Sequence, residues 1–115
     1  MQFMVIRKAD AETEAGVKPT PELIDAMTSY NEKLVAKGMM KAGGGLGPSA
    51  RGARVSFSNG KPTVMDGPFA EAKELVGGFF LLDCDDEAQA IAIAGQCPAA
   101  QWATVEVREL GPCYT

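Results

Sequence analysis

Val76-Gly77-Gly78-Phe79-Phe80-Leu81-Leu82-Asp83-Cys84 is the strongest strand signal in the chain, and its reading decides how the rest must be arranged. Successive side chains of a strand point to opposite faces, so Phe79 to Leu82 present large apolar groups on both. Such a strand has to be covered twice. Asp85-Asp86-Glu87 follows, with Asp85 as the expected cap and the acids suited to the positive end of a helix. In that helix Ala88, Ile91, Ala92 and Gly95 form a small-residue stripe, and Pro98 ends the element. Ala103 to Leu110 supplies the last strand, with Val105 and Val107 on one face and Glu106 and Arg108 on the other.

Toward the amino end, Phe3 to Arg7 is short, apolar and β-branched at Val5 and Ile6, and reads as the first strand. Lys8 to Lys18 is polar, contains Gly16, and is expected to be a loop. Thr20-Pro21 then opens a helix: threonine caps a free N–H and proline fits the first turn. Leu23, Ile24, Met27, Tyr30 and Leu34 recur at three- and four-residue intervals on one stripe, and Gly38 is placed to end the element. Tyr30 and the methionines 27, 39 and 40 are expected to be packing residues. Met39 to Ala42 begins a second strand, interrupted by Gly43-Gly44-Gly45-Leu46-Gly47-Pro48. That run lacks the Lys-Ser/Thr ending of a phosphate loop and the strand-to-helix context of a dinucleotide site. It is read as a bend or close backbone approach at a sheet edge, and no cofactor is implied.

Arg54 to Ser58 and Lys61 to Met65 flank Asn59-Gly60, the clearest local turn signal. A two-residue loop sets Ser58 opposite Lys61, Phe57 opposite Pro62 and Val55 opposite Val64. Pro62 cannot donate to a ladder, which fits an edge or a hairpin end. The order strand, helix, strands, strand, helix, strand describes an α+β fold, a ferredoxin-like unit with an added β-hairpin. Two helices cover one sheet face and leave the other apolar. A homodimer joining those faces as a dimeric α/β barrel buries them, and edge pairing of two sheets is the alternative. A single domain over residues 1–115 suits this length.

With 46% hydrophobic and 23% charged residues, the composition is that of a folded domain. Its net charge of −4 and pI near 4.8 disfavour direct nucleic-acid binding and make a protein partner more natural than a duplex. The chain has no histidine, and Cys84, Cys97 and Cys113 are widely spaced, so no metal site is expected. A nucleophilic machine that needs histidine as its base is excluded. No run approaches the ~18 apolar residues of a membrane span, and the amino terminus lacks a signal-peptide pattern. Cytoplasmic is the expected compartment.

Between hairpin and strand lies Asp66-Gly67-Pro68-Phe69-Ala70-Glu71-Ala72-Lys73-Glu74. One reading is structural: the Asp66 carboxylate accepts N–H bonds from the turn, Pro68 fixes a torsion and Phe69 anchors the loop in the core. In the other, Asp66 stands at the rim of a cleft as an acid or base, with Glu74 as its candidate catalytic partner. Glu71 lies three residues from Glu74, so a helical turn would bring the two together. Phe69, Glu71 and Lys73 are then the candidate ligand contacts, Lys73 holding a small polar or anionic molecule.

The same segment resembles the DGPFAETKE signature of the YCII-related (DGPF-domain) family, with Ala72 where that family usually has threonine. Similarity continues through Gly77-Gly78-Phe79, Cys97-Pro98-Ala99-Ala100 and Val105-Glu106-Val107-Arg108. The resemblance implies the ferredoxin-like dimer, and it implies a His-Asp pair of which only the aspartate, at Asp66, could be present here. Some relatives occur near transcription-associated proteins. A small-molecule binding or regulatory module, a small-molecule enzyme using acid/base chemistry centred on Asp66, and a structural or protein-interaction role all stand open on the sequence.

Overall fold

The structure is a computed structural model in which residues 1–69, 74–101 and 103–112 are described. Four strands form one antiparallel sheet: β1 (Gln2–Lys8), β2 (Met40–Gly45), β5 (Val76–Asp83) and β6 (Val105–Glu109), in the order β2-β5-β1-β6. Helix α2 (Pro21–Ala36) connects β1 to β2, and α3 (Glu87–Gly95) connects β5 to β6. Each is a split β-α-β crossover, and together they give ferredoxin-like topology. Strands β3 (Ala53–Ser58) and β4 (Lys61–Asp66) form a separate two-stranded sheet inserted between β2 and β5.

Register follows from side-chain alternation. Phe3 and Val5 stand opposite Leu82 and Phe80, and Val107 opposite Val5, on the face that carries the helices. Phe3, Val5, Leu82, Phe80 and the helical Leu34, Ala90 and Ala94 make the buried core. Tyr30 packs edge-on against Phe80, with ring centroids 6.0 Å apart, and its hydroxyl donates to the Ile93 carbonyl at 2.6 Å. The opposite face presents Met4, Ile6, Phe79 and Leu81, all half-buried, beside an ion pair between the half-buried Glu106 and the exposed Arg108.

Thr20 caps α2 by accepting the Leu23 N–H, Pro21 is its first residue, and Gly38 follows its end with φ +71°. The hairpin has the register read from Asn59-Gly60, with Phe57 opposite Pro62 and Val55 opposite Val64. Both turn residues have positive φ, as a tight hairpin requires. Neither hairpin face is covered by the described residues: Phe57 is 76% exposed.

Several expectations are corrected. Residues 8–18 are not all loop, because Asp10 caps a short helix α1 (Ala11–Glu14) whose polar sequence carries no apolar period. The cap of α3 is Asp86, which accepts the Gln89 N–H, while the Gln89 side chain accepts the Asp85 N–H. The inward residues of α3 are Ala90 and Ala94, whereas Ile91 is exposed. In so uniformly small and apolar a helix, periodicity does not discriminate between neighbouring stripes. Likewise Ile24 of α2 faces outward. The glycines of β2 do not interrupt the strand but continue it to Gly45 along the sheet edge, where a Cβ on Gly43 would lie 3.0 Å from the Phe80 Cβ.

Candidate functional site

On the helix face of the sheet, Gly45 of β2, Gly78 of β5 and Arg7 of β1 form one cross-strand row. Gly43 lies on the same face, opposite Phe80. Side chains are therefore missing where α2 passes over the β2 edge, and a cavity of about 300 Å³ opens there. Met27 and Asn31 of α2, Met40, Phe80, Cys97 and the glycines form its wall. A second cavity of about 560 Å³ adjoins it between α1, the 17–20 segment and the first turns of α2. Arg7, Met27, Asn31 and Ala99 border both. Volumes of this order are those of small-molecule sites.

Among the described residues, Arg7 is the charged side chain of the smaller cavity. Its Nη2 donates to the Gly77 carbonyl at 2.7 Å, and the guanidinium lies so close over Gly77 that a Cβ there would stand 2.8 Å from Nη2. Among the described residues no carboxylate comes within ion-pair distance of Arg7. The nearby Asp10 is engaged elsewhere: it accepts the Thr13 N–H and hydroxyl, each at 2.7 Å. Those bonds, the backbone one first, hold its carboxyl below the usual range, with a smaller contribution from Arg7. Across the cleft, the Asn31 Oδ1 is a buried acceptor with no hydrogen-bond partner among the described residues. The Cys97 thiol sits against the Met27 sulfur at 3.7 Å, and burial pushes it up, so it adds no charge.

The signature turn is built separately. Gly67 donates to the Gly52 carbonyl, and its α-carbon packs on a 3-10 turn at Ser49–Arg51 so tightly that a Cβ would lie 1.7 Å from the Ser49 carbonyl oxygen. A cis peptide bond joins Gly67 to Pro68. The Ser49 hydroxyl accepts the Phe69 N–H at 3.0 Å, while the Glu14 carboxylate accepts both the Ser49 N–H, at 2.7 Å, and its hydroxyl. Ser49 thus supplies the turn contact expected of Asp66. Phe69 does not enter the core: it lies half-buried under the Arg54 guanidinium, 3.9 Å from the ring centroid.

Of the residues singled out in the sequence, Asp66 is the exposed last residue of β4, with no side-chain hydrogen bond or ion pair among the described residues. It borders neither cavity, and nor does Phe69 or the exposed Glu74. Glu71 and Lys73 lie outside the described residues. Sequence reasoning passed over Arg7, Glu14 and Ser49, and the spacing of the α2 stripe sets Asn31 toward water, whereas its Oδ1 is buried beside the cleft. Arg7 carried a usable signal: alternation from Phe3 and Val5 puts a charge on the inward face of β1. Among the described residues no cluster of three or more ligating side chains could hold a metal ion, and no helix is long and apolar enough to cross a membrane.

The family model described as the YCII-related domain matches residues 1–113. The chain belongs to the YCII-related family. An uncharacterized protein of Rhizobium meliloti is 36% identical over 86 residues, covering 73% of this chain and 69% of that one. The fold of this YCII-related protein is similar to that of 5-chloro-2-hydroxyhydroquinone dehydrochlorinase from Burkholderia phenoliruptrix, solved in complex with 2,5-dihydroxybenzoquinone. The TM-score is 0.55 at 18% identity, over 96% of this chain and 94% of that one. At that identity the likeness speaks for the mixed α+β, ferredoxin-like fold.

Proposed function

We propose that this YCII-related protein is a small-molecule binding module whose ligand lies in the cleft between α2 and the β2-β5 edge. The observation that carries this reading is the juxtaposition of a side-chain-free glycine floor with a half-buried arginine that has no acidic partner among the described residues. Thermal-shift screening of small polar metabolites, followed by Arg7→Gln on each hit, tests it. Hits that stabilise the variant as strongly as the parent chain, and shift the amides of none of Gly43 to Gly45 or Gly78, would count against the cleft.

Acid/base chemistry at Asp66 is the second reading, with Glu74 as its partner and Phe69, Glu71 and Lys73 as the ligand contacts. In its favour, the turn's N–H groups are met by Gly52 and Ser49, which leaves the Asp66 carboxylate uncommitted among the described residues. Product formation from a binding hit, slowed about 10²–10⁴-fold by Asp66→Asn, would favour catalysis. An undiminished rate in the folded variant would exclude Asp66 as the proton carrier.

In this reading the module works as a homodimer. The uncovered apolar sheet face and the exposed Val55, Phe57 and Val64 of the hairpin support that assembly. Light scattering over a concentration series is expected to give twice the 12.1 kDa chain mass, and a persistent folded monomer would contradict it.

A further inference from the structure

We infer that the cleft selects a small organic anion, a carboxylate or similar planar oxyanion on an apolar body, with Arg7 as the clamp and Gly77-Gly78 as the platform that aims it. This rests on the cleft being the ligand site and names what that site takes.

The smaller cavity is mostly apolar. Met27, Met40 and Phe80 border it, and its ionisable neighbour Cys97 stays a neutral thiol. Arg7 is therefore its one source of charge among the described residues. A half-buried guanidinium is costly to leave without an anionic partner, because a charge away from water needs a counter-charge or full hydrogen bonding. Here one guanidinium N–H goes to the Gly77 carbonyl, and the side chain makes no other hydrogen bond to a described residue. The remaining edge is a planar fork of donors, the geometry that a carboxylate meets with paired bonds.

Placement follows from the strands. Arg7 stands opposite Gly78, where a Cβ would lie 3.6 Å from its Nε, and Gly45 stands opposite Gly78 on the other side with nothing within 4 Å of its own Cβ position, so the side chain lies over Gly78 and leaves the floor at Gly45 open. Gly77 completes this bed, since any side chain there would displace the guanidinium. Asp10 is a competing anion within reach of the Arg7 charge, and Thr13 already occupies it. Asn31 adds a second recognition point: its Oδ1 lacks a partner, and by turning its amide it can accept from a hydroxyl on the ligand body. The apolar body of the ligand would lie along Met27 and Phe80.

The test compares acids with their neutral isosteres on the full chain. Benzoate and 4-hydroxybenzoate are titrated beside benzamide and 4-hydroxybenzamide, with affinity read by calorimetry and location by amide chemical shifts. Each acid is expected to bind about tenfold or more tightly than its amide, with shifts at Gly43 to Gly45 and Gly78, since a charged hydrogen-bonded pair is worth that factor. Arg7→Gln should abolish the preference. Gly77→Ala, which keeps Arg7 but unseats it, should reduce it, and this second variant decides the matter should the first fail to fold. Equal binding of acids and amides within the cleft would overturn the anion inference and leave the cleft reading intact. An acid preference that survives in a folded Arg7→Gln protein would overturn Arg7 as the clamp and point to Lys18 in the outer cavity. Absence of cleft shifts with all four probes at millimolar concentration would overturn both.

Discussion

Gly67→Ala is the sharpest test of how the signature turn is held. An added methyl carbon would lie 1.7 Å from the Ser49 carbonyl oxygen, a backbone atom that cannot move without moving the 3-10 turn at Ser49–Arg51. Overpacking of that kind costs about 1–3 kcal/mol. Displacing Ser49 also breaks its bonds to Glu14 and Phe69, and hydrogen bonds contribute about 1 kcal/mol each, or 1.5–3 where one partner is charged. Water replaces part of that loss at a half-buried site, so the expected total is about 3 kcal/mol, or about 10 °C in Tm for a chain of this size. Calorimetric melting measures it. Hydrogen exchange at Ser49 and Phe69 should accelerate in parallel. Gly95→Ala is the control: its Cβ meets nothing within 4 Å, and replacing glycine in a helix should stabilise by about 0.5–1 kcal/mol. If Gly67→Ala melts within 1 °C of the parent chain, the packing of the signature on Ser49 is wrong.

Leu82→Ala, at a fully buried position between Phe3 and Met40, should cost about 2–5 kcal/mol in urea unfolding with little change in slope. Cys84 and Cys97 are buried and their thiols are pushed up by that burial, so a disulfide reagent at pH 8 should modify them only as the protein unfolds. Asp10 has a lowered carboxyl, so its contribution is present above the unfolded value of 3.8 and is lost as pH falls through the lower folded value. Stability measured from pH 5 to pH 2 should therefore fall less steeply in Asp10→Asn, and an unchanged slope would refute the assignment.

Much of the fold was legible because it depends on local periods. Thr20-Pro21, Asn59-Gly60 and the alternation of Val105 and Val107 each act within a few residues, and each places its element correctly. The order of those elements then leaves few topologies. The apolar run Phe79 to Leu82 announced two covered faces, and one of them proves to lie under the helices. What failed were choices among similar neighbours, such as Asp85 against Asp86 or Ile91 against Ala90, where a single residue's shift decides orientation.

The cleft was less legible, since its parts come from distant positions. Arg7 meets Gly77 across 70 residues and Ser49 meets Glu14 across 35, and no spacing rule links such pairs before the strands are registered. The signature drew attention to Asp66 and Phe69 as chemistry. Gly67 instead shows much of that segment's packing: it is the contact point that seats the turn on Ser49.

The central claim, that ligand occupies the α2–sheet cleft, is tested most directly by amide chemical-shift mapping during titration with a binding hit. Shifts concentrated at Arg7, Asn31, Gly43 to Gly45 and Gly78 are the expected result. Shifts confined to Asp66 to Phe69, with those cleft residues unmoved at saturation, would contradict it.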